Sequence, residues 1–220
     1  MMVDFSVLTH NAGAIAGGFA VTLETWLAGT CLGMAAGLAM ALLLLGGGRW
    51  TNRAIRLYIE VIRGTPFLVQ LFFLYYGGPS IGLDLEPVTA GILGLGLYGS
   101  AYFAEVFRAG FGSIPKGHLE AGTCLGLTRW QMVRRIMLPQ MLVIIVPSLC
   151  NTIIVLSKET AVLSVITVPE LTGILTGIGS LSFAFLEVLV ALCAGYLMLV
   201  ELTAALGRWA EGKVGRYMIR

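Results

Sequence analysis

Apolar residues in this chain fall in long runs separated by short polar stretches, not at the spacing of a half-buried soluble element. A helix that crosses a bilayer needs roughly 20 mostly apolar residues. The first run covers about residues 14–45, long enough to span with tilt or to project beyond the bilayer. A second run covers about 58–77 and ends at Gly77-Gly78-Pro79, and a third covers about 88–111. The fourth, about 132–157, carries Pro139 and Pro147, and the fifth covers about 183–206. Residues 158–182 are rich in Thr, Gly and Ser, include Lys158, Glu159 and Glu170, and predict a short helix or a partly re-entrant segment rather than a span. The pattern predicts an all-α integral membrane protein with about five transmembrane helices in one domain over residues 1–220.

Composition agrees: 57% of residues are hydrophobic and 12% charged, against about 25% charged in soluble domains. Five spans put the termini on opposite sides, and the basic residues choose the orientation. With the N-terminus outside, Arg49, Arg53, Arg56, Arg63, Arg108, Lys116, Arg129, Arg134, Arg135, Arg208, Lys213, Arg216 and Arg220 are all cytoplasmic, and only Lys158 is outside. The C-terminus is then cytoplasmic. Before Arg49 there is no Lys or Arg, Asp4 is the one charged side chain of the N-terminus, and no cleavable leader is expected.

Several patterns have plain packing explanations. Gly29, Gly33 and Gly37 repeat every four residues and favour close helix contact. Gly94, Gly96 and Gly99 match GxGxxG, but inside a span and without a preceding strand, so they too read as packing glycines. Residues 207–214 nearly match a phosphate-binding loop. Val214 stands where a hydroxyl would hold magnesium, and the stretch ends a membrane helix, so the chain has no ATP site of its own. Cys31, Cys124, Cys150 and Cys193 lack ligand or disulfide spacing and read as small buried hydrophobes. His10 and His118 are far apart and no HExxH or GxSxG is present, so no catalytic residue, cofactor or metal site is expected in this chain.

Charges inside or at the edge of spans are functional candidates by default. Glu60 and Arg63 are spaced to pair, as are Glu105 and Arg108, and both pairs read as structural pairs at the inner interface. Glu24, between Thr22 and Thr25, has no local partner; it faces a cavity, lies at the outer interface or pairs across helices. Lys158-Glu159 are expected to cap the outer end of the fourth span.

Between the third and fourth spans lies a charged stretch with Glu120-Ala121-Gly122, then Gly126, then Ile136, Leu138 and Pro139. Gly122 and Gly126 are one helical turn apart, which predicts a face open to close approach by another surface. This pattern resembles the EAA loop of ABC importer permeases, with Gly122 where the family usually has alanine. Further segments resemble the subfamily for polar amino acids: Tyr58-Ile59-Glu60 through Arg63-Gly64-Thr65-Pro66, Ala101-Tyr102-Phe103-Ala104-Glu105 through Arg108, Ser113-Ile114-Pro115-Lys116-Gly117, Lys158-Glu159-Thr160 and Val168-Pro169-Glu170-Leu171. Ser100 and Ala161-Val162 depart from that pattern with small or apolar replacements.

The resemblance implies a multi-pass permease of the bacterial inner membrane that forms the translocation path by alternating access. It implies cytoplasmic coupling helices in the loop of about residues 112–135, with Glu120, Ala121, Gly122 and Gly126 meeting the ATPase. The implied partners are two ATP-binding subunits carrying ATP and magnesium, a second permease (identical or homologous) and an extracytoplasmic substrate-binding protein. That protein would dock near residues 79–87 and 157–182. No nucleic acid partner is implied. Glu24, Gln70, Tyr102, Glu105, Asn151 and Thr152 are candidates for the substrate path by polarity and position, since an amino acid brings both a carboxylate and an ammonium group. Two other readings stay open: a secondary transporter driven by an ion gradient, against which the absence of an obvious inverted repeat argues, and a membrane scaffold without flux.

Overall fold

The computed structural model describes residues 5–215. Asp4, Arg216 and Arg220, used above for charge and orientation, lie outside the described residues. Among those described, every regular element is a helix: α1 (Ser6–His10), α2 (Ala12–Gly46), α3 (Arg49–Gly64), α4 (Phe67–Tyr75), α5 (Pro87–Gly112), α6 (Lys116–Cys124), α7 (Arg129–Met132), α8 (Leu138–Glu159), α9 (Leu171–Ser182) and α10 (Phe185–Gly215). A π-helical turn, Val133–Met137, joins α7 to α8, and a 3-10 stretch, Thr160–Ile166, continues α8. Four helical runs are long and apolar enough to cross a membrane: Ala12–Gly46, Pro87–Gly112, Arg129–Ile166 and Phe185–Lys213.

The centre of the fold is the contact of α2 with α5, built by the glycine ladder. A β-carbon at Gly33 would lie 3.1 Å from the Gly96 carbonyl oxygen and 3.1 Å from the Ser100 nitrogen. At Gly37 it would lie 2.6 Å from Cβ of Phe103 and 2.8 Å from the Ala104 nitrogen. The two helices therefore touch main chain to main chain, where van der Waals contact substitutes for the hydrophobic drive that lipid removes. On other faces of α5, Gly94 and Gly99 instead leave room for the side chains of Leu71 and Leu156. Phe103, Phe107, Met141, Ile145, Leu156 and Leu199 bind α5, α8 and α10 into one core, and the Trp26 indole N–H donates to the Ile153 carbonyl at 3.1 Å.

The second span differs from expectation. It is not one helix over 58–77 but a pair, α3 and α4, bent by 107°. Pro66 is the cause: a residue before proline is pushed out of the helical region, and Thr65 sits at φ −119°, ψ 144°. The carbonyls freed by the break need partners. Gln70 supplies them, its amide nitrogen lying 2.7 Å from the Ile62 carbonyl, 3.0 Å from the Thr65 carbonyl and 2.8 Å from the Thr65 hydroxyl. The α4 helix runs along α5, with Leu71 on Gly94 and the Phe67 ring 5.0 Å from Tyr98. The α3 helix instead lies across α2 and α5, with Ile59 buried on Ala101 and Ala104 and Ile55 beside Met40 and Leu44.

The stretch 158–182 resolves into the 3-10 continuation, a turn and the 12-residue α9, about 18 Å long and too short to cross. Lys158 and Glu159 end α8, yet the helical path continues past them to Ile166, so they do not terminate that span. Glu170 begins α9 and is fully buried. Its carboxylate accepts from the amides of Thr172 at 2.9 Å and Gly173 at 2.8 Å and from the Tyr196 hydroxyl of α10 at 3.0 Å. The Leu171 amide donates to the Thr22 hydroxyl of α2 at 3.0 Å. One carboxylate thus caps α9 and pins it to α10, as an N-terminal helix end requires.

Candidate functional site

Two places hold the polar side chains singled out from the sequence. The first is a charged wall near the foot of α5. Glu105 and Arg108 are one turn apart, and Arg108 donates to both carboxylate oxygens, Nε to Oε1 at 2.9 Å and Nη2 to Oε2 at 2.7 Å. Arg63, the last basic residue of α3, turns to the same carboxylate, its Nη1 lying 3.9 Å from Oε2. The ion pair of Arg63 is therefore with Glu105, not with Glu60 as spacing along one helix suggested. The break at Pro66 brings this about, because it lets α3 lie across α5. The Arg63 guanidinium also sits 5.3 Å from the Tyr102 ring centre, a favourable cation–π geometry. Tyr102 in turn accepts from the Tyr98 hydroxyl at 3.1 Å.

Clefts open on both sides of this wall. One, about 340 Å³, is lined by Tyr102 and Glu105 of α5, Arg63 of α3, and Ser148 and Thr152 of α8. The other, about 300 Å³, is lined by Arg56, Glu60, Arg63, Glu105 and Arg108. Of the six substrate-path candidates, the structure brings Tyr102, Glu105 and Thr152 together. It leaves three apart. Gln70 is committed to the helix break. Asn151 is exposed on the neighbouring face of α8, and Glu24 is exposed on α2. Arg63 and Ser148 complete the first cleft and are not among the residues that polarity and position in the sequence single out. Arg63 was assigned to its own helix, and nothing marks Ser148 before the fold is known.

The second place is the corner between α6 and α7. The α6 helix ends at Cys124, and the Leu127 amide donates back to the Gly122 carbonyl at 3.1 Å while the Gly126 amide donates to Thr123 at 2.9 Å. This pair of hydrogen bonds is a Schellman turn, which requires a left-handed residue, and Gly126 supplies it with φ +70°. Thr128 then starts α7: its hydroxyl accepts from the Gln131 amide at 3.3 Å and its amide donates to the Gln131 side chain at 2.8 Å, a capping box.

Gly122 and Gly126 therefore do not form one helical face. Gly122 is buried, and a β-carbon there would lie 2.5 Å from Met132 Sδ and 2.8 Å from Ile136 Cδ1, so the surface that approaches it is the chain's own return helix. Gly126 faces open space at the corner. Glu120 and Ala121 are exposed on α6, and at the tip Leu125 is 79% and Trp130 63% exposed. His118 Nδ1 lies 2.7 Å from Gln140 Oε1 and ties α6 to α8.

Glu170 and Tyr196 are polar residues whose partnership sequence reading missed. An acidic residue just before an apolar helical run is an N-cap signal, but Tyr196 lies 26 residues further on and nothing local announces it.

Comparison with known proteins adds to this geometry. A profile described as "Binding-protein-dependent transport system inner membrane component" matches residues 29–213. The chain is 35% identical over 220 residues to the glutamine transport system permease protein GlnP of Escherichia coli K12, covering 97% of this chain and 99% of that one. It is 36% identical over 202 residues to a probable amino-acid ABC transporter permease protein, YckA, of Bacillus subtilis, covering 90% and 86%. It is 38% identical over 166 residues to the histidine/lysine/arginine/ornithine permease protein HisQ of Salmonella typhimurium, covering 70% and 73%. Among solved structures, an amino acid ABC transporter crystallised with histidines superposes with a TM-score of 0.89 at 33% identity, covering 97% of this chain and 100% of that one. A subunit of the MetNI methionine transporter shares the fold with a TM-score of 0.79 at 22% identity, covering 93% and 97%.

Proposed function

The chain belongs to the family of binding-protein-dependent transport system inner membrane components, and from that premise we propose that it is the permease subunit of an ABC importer for a polar amino acid in the bacterial inner membrane. It works with a separate ATPase, which carries ATP and magnesium, and with a substrate-binding protein. In the assembly we infer, two ATP-binding subunits serve a pair of permeases, with the N-terminus outside and α6 and α7 in the cytoplasm. Thirteen of the fourteen Lys and Arg residues favour that orientation.

The observation that carries the reading is the charged wall with its two clefts. Three guanidiniums, Arg56, Arg63 and Arg108, meet two carboxylates, Glu60 and Glu105, at the junction of α3 and α5. Such a cluster at the inner ends of the spans suits a place where water or a polar solute passes. The excess of positive charge suits a substrate carboxylate. Arg63, whose contact with Glu105 is the looser at 3.9 Å, is the guanidinium that would turn to receive it, while Glu105 and the hydroxyls of Tyr102 and Thr152 suit the ammonium group. Alternating access then opens one cleft as the other closes, driven by the ATPase against the corner formed by Glu120, Ala121, Gly122 and Gly126.

The test is to purify the chain from its native membrane in mild detergent, reconstitute it with its co-purifying subunits, and measure amino acid uptake. Uptake that needs internal ATP and the binding protein supports the reading. Uptake driven by an ion gradient without an ATPase, or an isolated chain with no ATPase partner, overturns it.

A further inference from the structure

Within the cleft of about 340 Å³, the charged groups gather at one end. Arg63 and Glu105 sit there together, with the Tyr102 ring centre 5.3 Å from the guanidinium. One turn further along α5 the wall is Ala109 and Gly110, and the facing wall of α8 is Ile144 and Ile145. At Gly110 the two helices close on each other: a β-carbon there would run into Ile145 Cγ2 and lie 3.4 Å from Met141 Cβ. That contact is the floor of the cleft. Between the charged end and this floor α8 presents Ser148, exposed to the cleft and spaced three residues from Ile145 and four from Thr152 on one helical face. Thr152 belongs to the charged end. Its hydroxyl donates to the Ser148 carbonyl at 2.9 Å, which leaves its oxygen to accept, as an ammonium group requires. Glu105 takes two hydrogen bonds from Arg108, whose guanidinium lines the opposite cleft, and keeps lone pairs for that ammonium. Arg63 faces the substrate carboxylate. The zwitterion therefore uses both charged groups, and among the described residues no third charged side chain lines this cleft.

We infer that the transported amino acid carries an uncharged, hydrogen-bonding side chain, an amide or a hydroxyl, whose polar end meets Ser148. The inference rests on the permease function proposed above and on the substrate carboxylate at Arg63. A cationic side chain would bring its charge to Ala109, Ile144 and Ile145 with no carboxylate beside it. An acidic side chain would bring one with no guanidinium beside it. Either charge, unpaired against an apolar wall, is costly. A purely aliphatic side chain fits that wall but covers the Ser148 hydroxyl without giving it a partner. An amide supplies what the hydroxyl can use, because serine both donates and accepts. Ser148 is thus the residue of this cleft that reads the side chain, while Arg63, Glu105 and Thr152 read the groups common to all amino acids.

The permease with its ATPase, purified in mild detergent without the binding protein, is titrated by calorimetry with glutamine, leucine, arginine and glutamate. The expected result is that glutamine binds more tightly than arginine or glutamate by about tenfold or more. Its margin over leucine is expected to be about fivefold, the worth of one neutral hydrogen bond. Ser148→Ala abolishes that margin over leucine, and Ser148→Thr, which keeps the hydroxyl, retains it. Ser148→Asp supplies the missing carboxylate and moves the preference toward arginine. Tighter binding of arginine or glutamate by the native complex overturns the inference. So does a glutamine preference that Ser148→Ala leaves intact, or an arginine affinity that Ser148→Asp fails to raise. A complex that binds none of the four yet imports one of them with its binding protein also overturns it, because selectivity then lies outside this cleft. In each of these cases the importer function stands; it falls instead on uptake that needs no ATPase.

Discussion

Arg63 reaches Glu105 at 3.9 Å from a different helix, and among the described residues this is the one ion pair joining the transverse α3 to the central span α5. Glu105 is therefore shared by two guanidiniums, tightly by Arg108 and loosely by Arg63. Neutralising it leaves both cations facing each other across the cleft wall. Glu105→Gln is expected to lower amino acid uptake by at least about tenfold, while destabilising the fold by only about 1 kcal/mol because the group is partly exposed. Arg63→Lys keeps the charge but loses the planar contact with Tyr102 and is expected to raise the substrate concentration needed for half-maximal uptake. Uptake kinetics in reconstituted vesicles check both. Unchanged kinetics in both variants would remove Glu105 and Arg63 from the path.

The contact of α2 with α5 makes a second prediction. Gly37→Val drives a branched side chain into Phe103 and the Ala104 main chain, which neither helix can yield without separating. The cost is expected at about 3 kcal/mol or more, the upper end of overpacking effects, with loss of folded protein in a thermal-shift assay. Gly17→Ala, on the same helix with nothing within 4 Å of the added carbon, is expected to leave the unfolding temperature within about a degree of the native value. Equal behaviour of the two would show that α2 and α5 are not held by backbone contact.

These glycines show what was legible in the sequence. A repeat of four fixes one face of α2 whatever the partner, so close packing could be read before the partner was known. The apolar runs located four spans for the same reason, the first and third within two residues at each end, while Arg129–Ile166 and Phe185–Lys213 run seven to nine residues past the expected C-terminal ends of 157 and 206. The shape of the second span was not legible because hydropathy does not register a bend: Pro66 sits among residues apolar enough for a span, and its effect on the direction of α3 depends on Gln70, α2 and α5. The site suffered from the same bend, which sends Arg63 to Glu105 across helices rather than to Glu60 along one. Gly126 was misplaced for a related reason. Spacing alone put it on the face of Gly122, whereas its left-handed φ marks the end of that helix.

The buried carboxylate at the start of α9 predicts a stability effect away from any cleft. Glu170→Ala strands the Thr172 and Gly173 amides and the Tyr196 hydroxyl inside the fold. The expected loss is about 2–3 kcal/mol, combining a missing cap with unsatisfied donors. Glu170→Gln keeps two acceptor positions' worth of shape but only one acceptor oxygen, so its cost is expected to be about half as large. Tyr196→Phe removes one donor and should cost about 1 kcal/mol. Chemical denaturation of the three purified variants orders them. A Glu170→Ala protein as stable as Tyr196→Phe would mean that the cap contributes nothing.

The corner between α6 and α7 separates a folding role from a docking role. Gly126→Ala keeps the tip open but strains a left-handed backbone, at about 1 kcal/mol, and Gly126→Asn, which tolerates that conformation, is expected to recover most of it. Gly122→Leu pushes into Met132 and Ile136 and should displace α6 altogether. Trp130→Asp and Leu125→Asp change neither packing nor backbone, because both side chains point away from the fold. If the tip seats in the ATPase, the two aspartate variants release that subunit on purification, while their unfolding temperatures stay native. Gly126→Asn should retain it. Retention of the ATPase by both aspartate variants would place the contact elsewhere on the cytoplasmic face and leave Gly126 a purely local requirement of the turn.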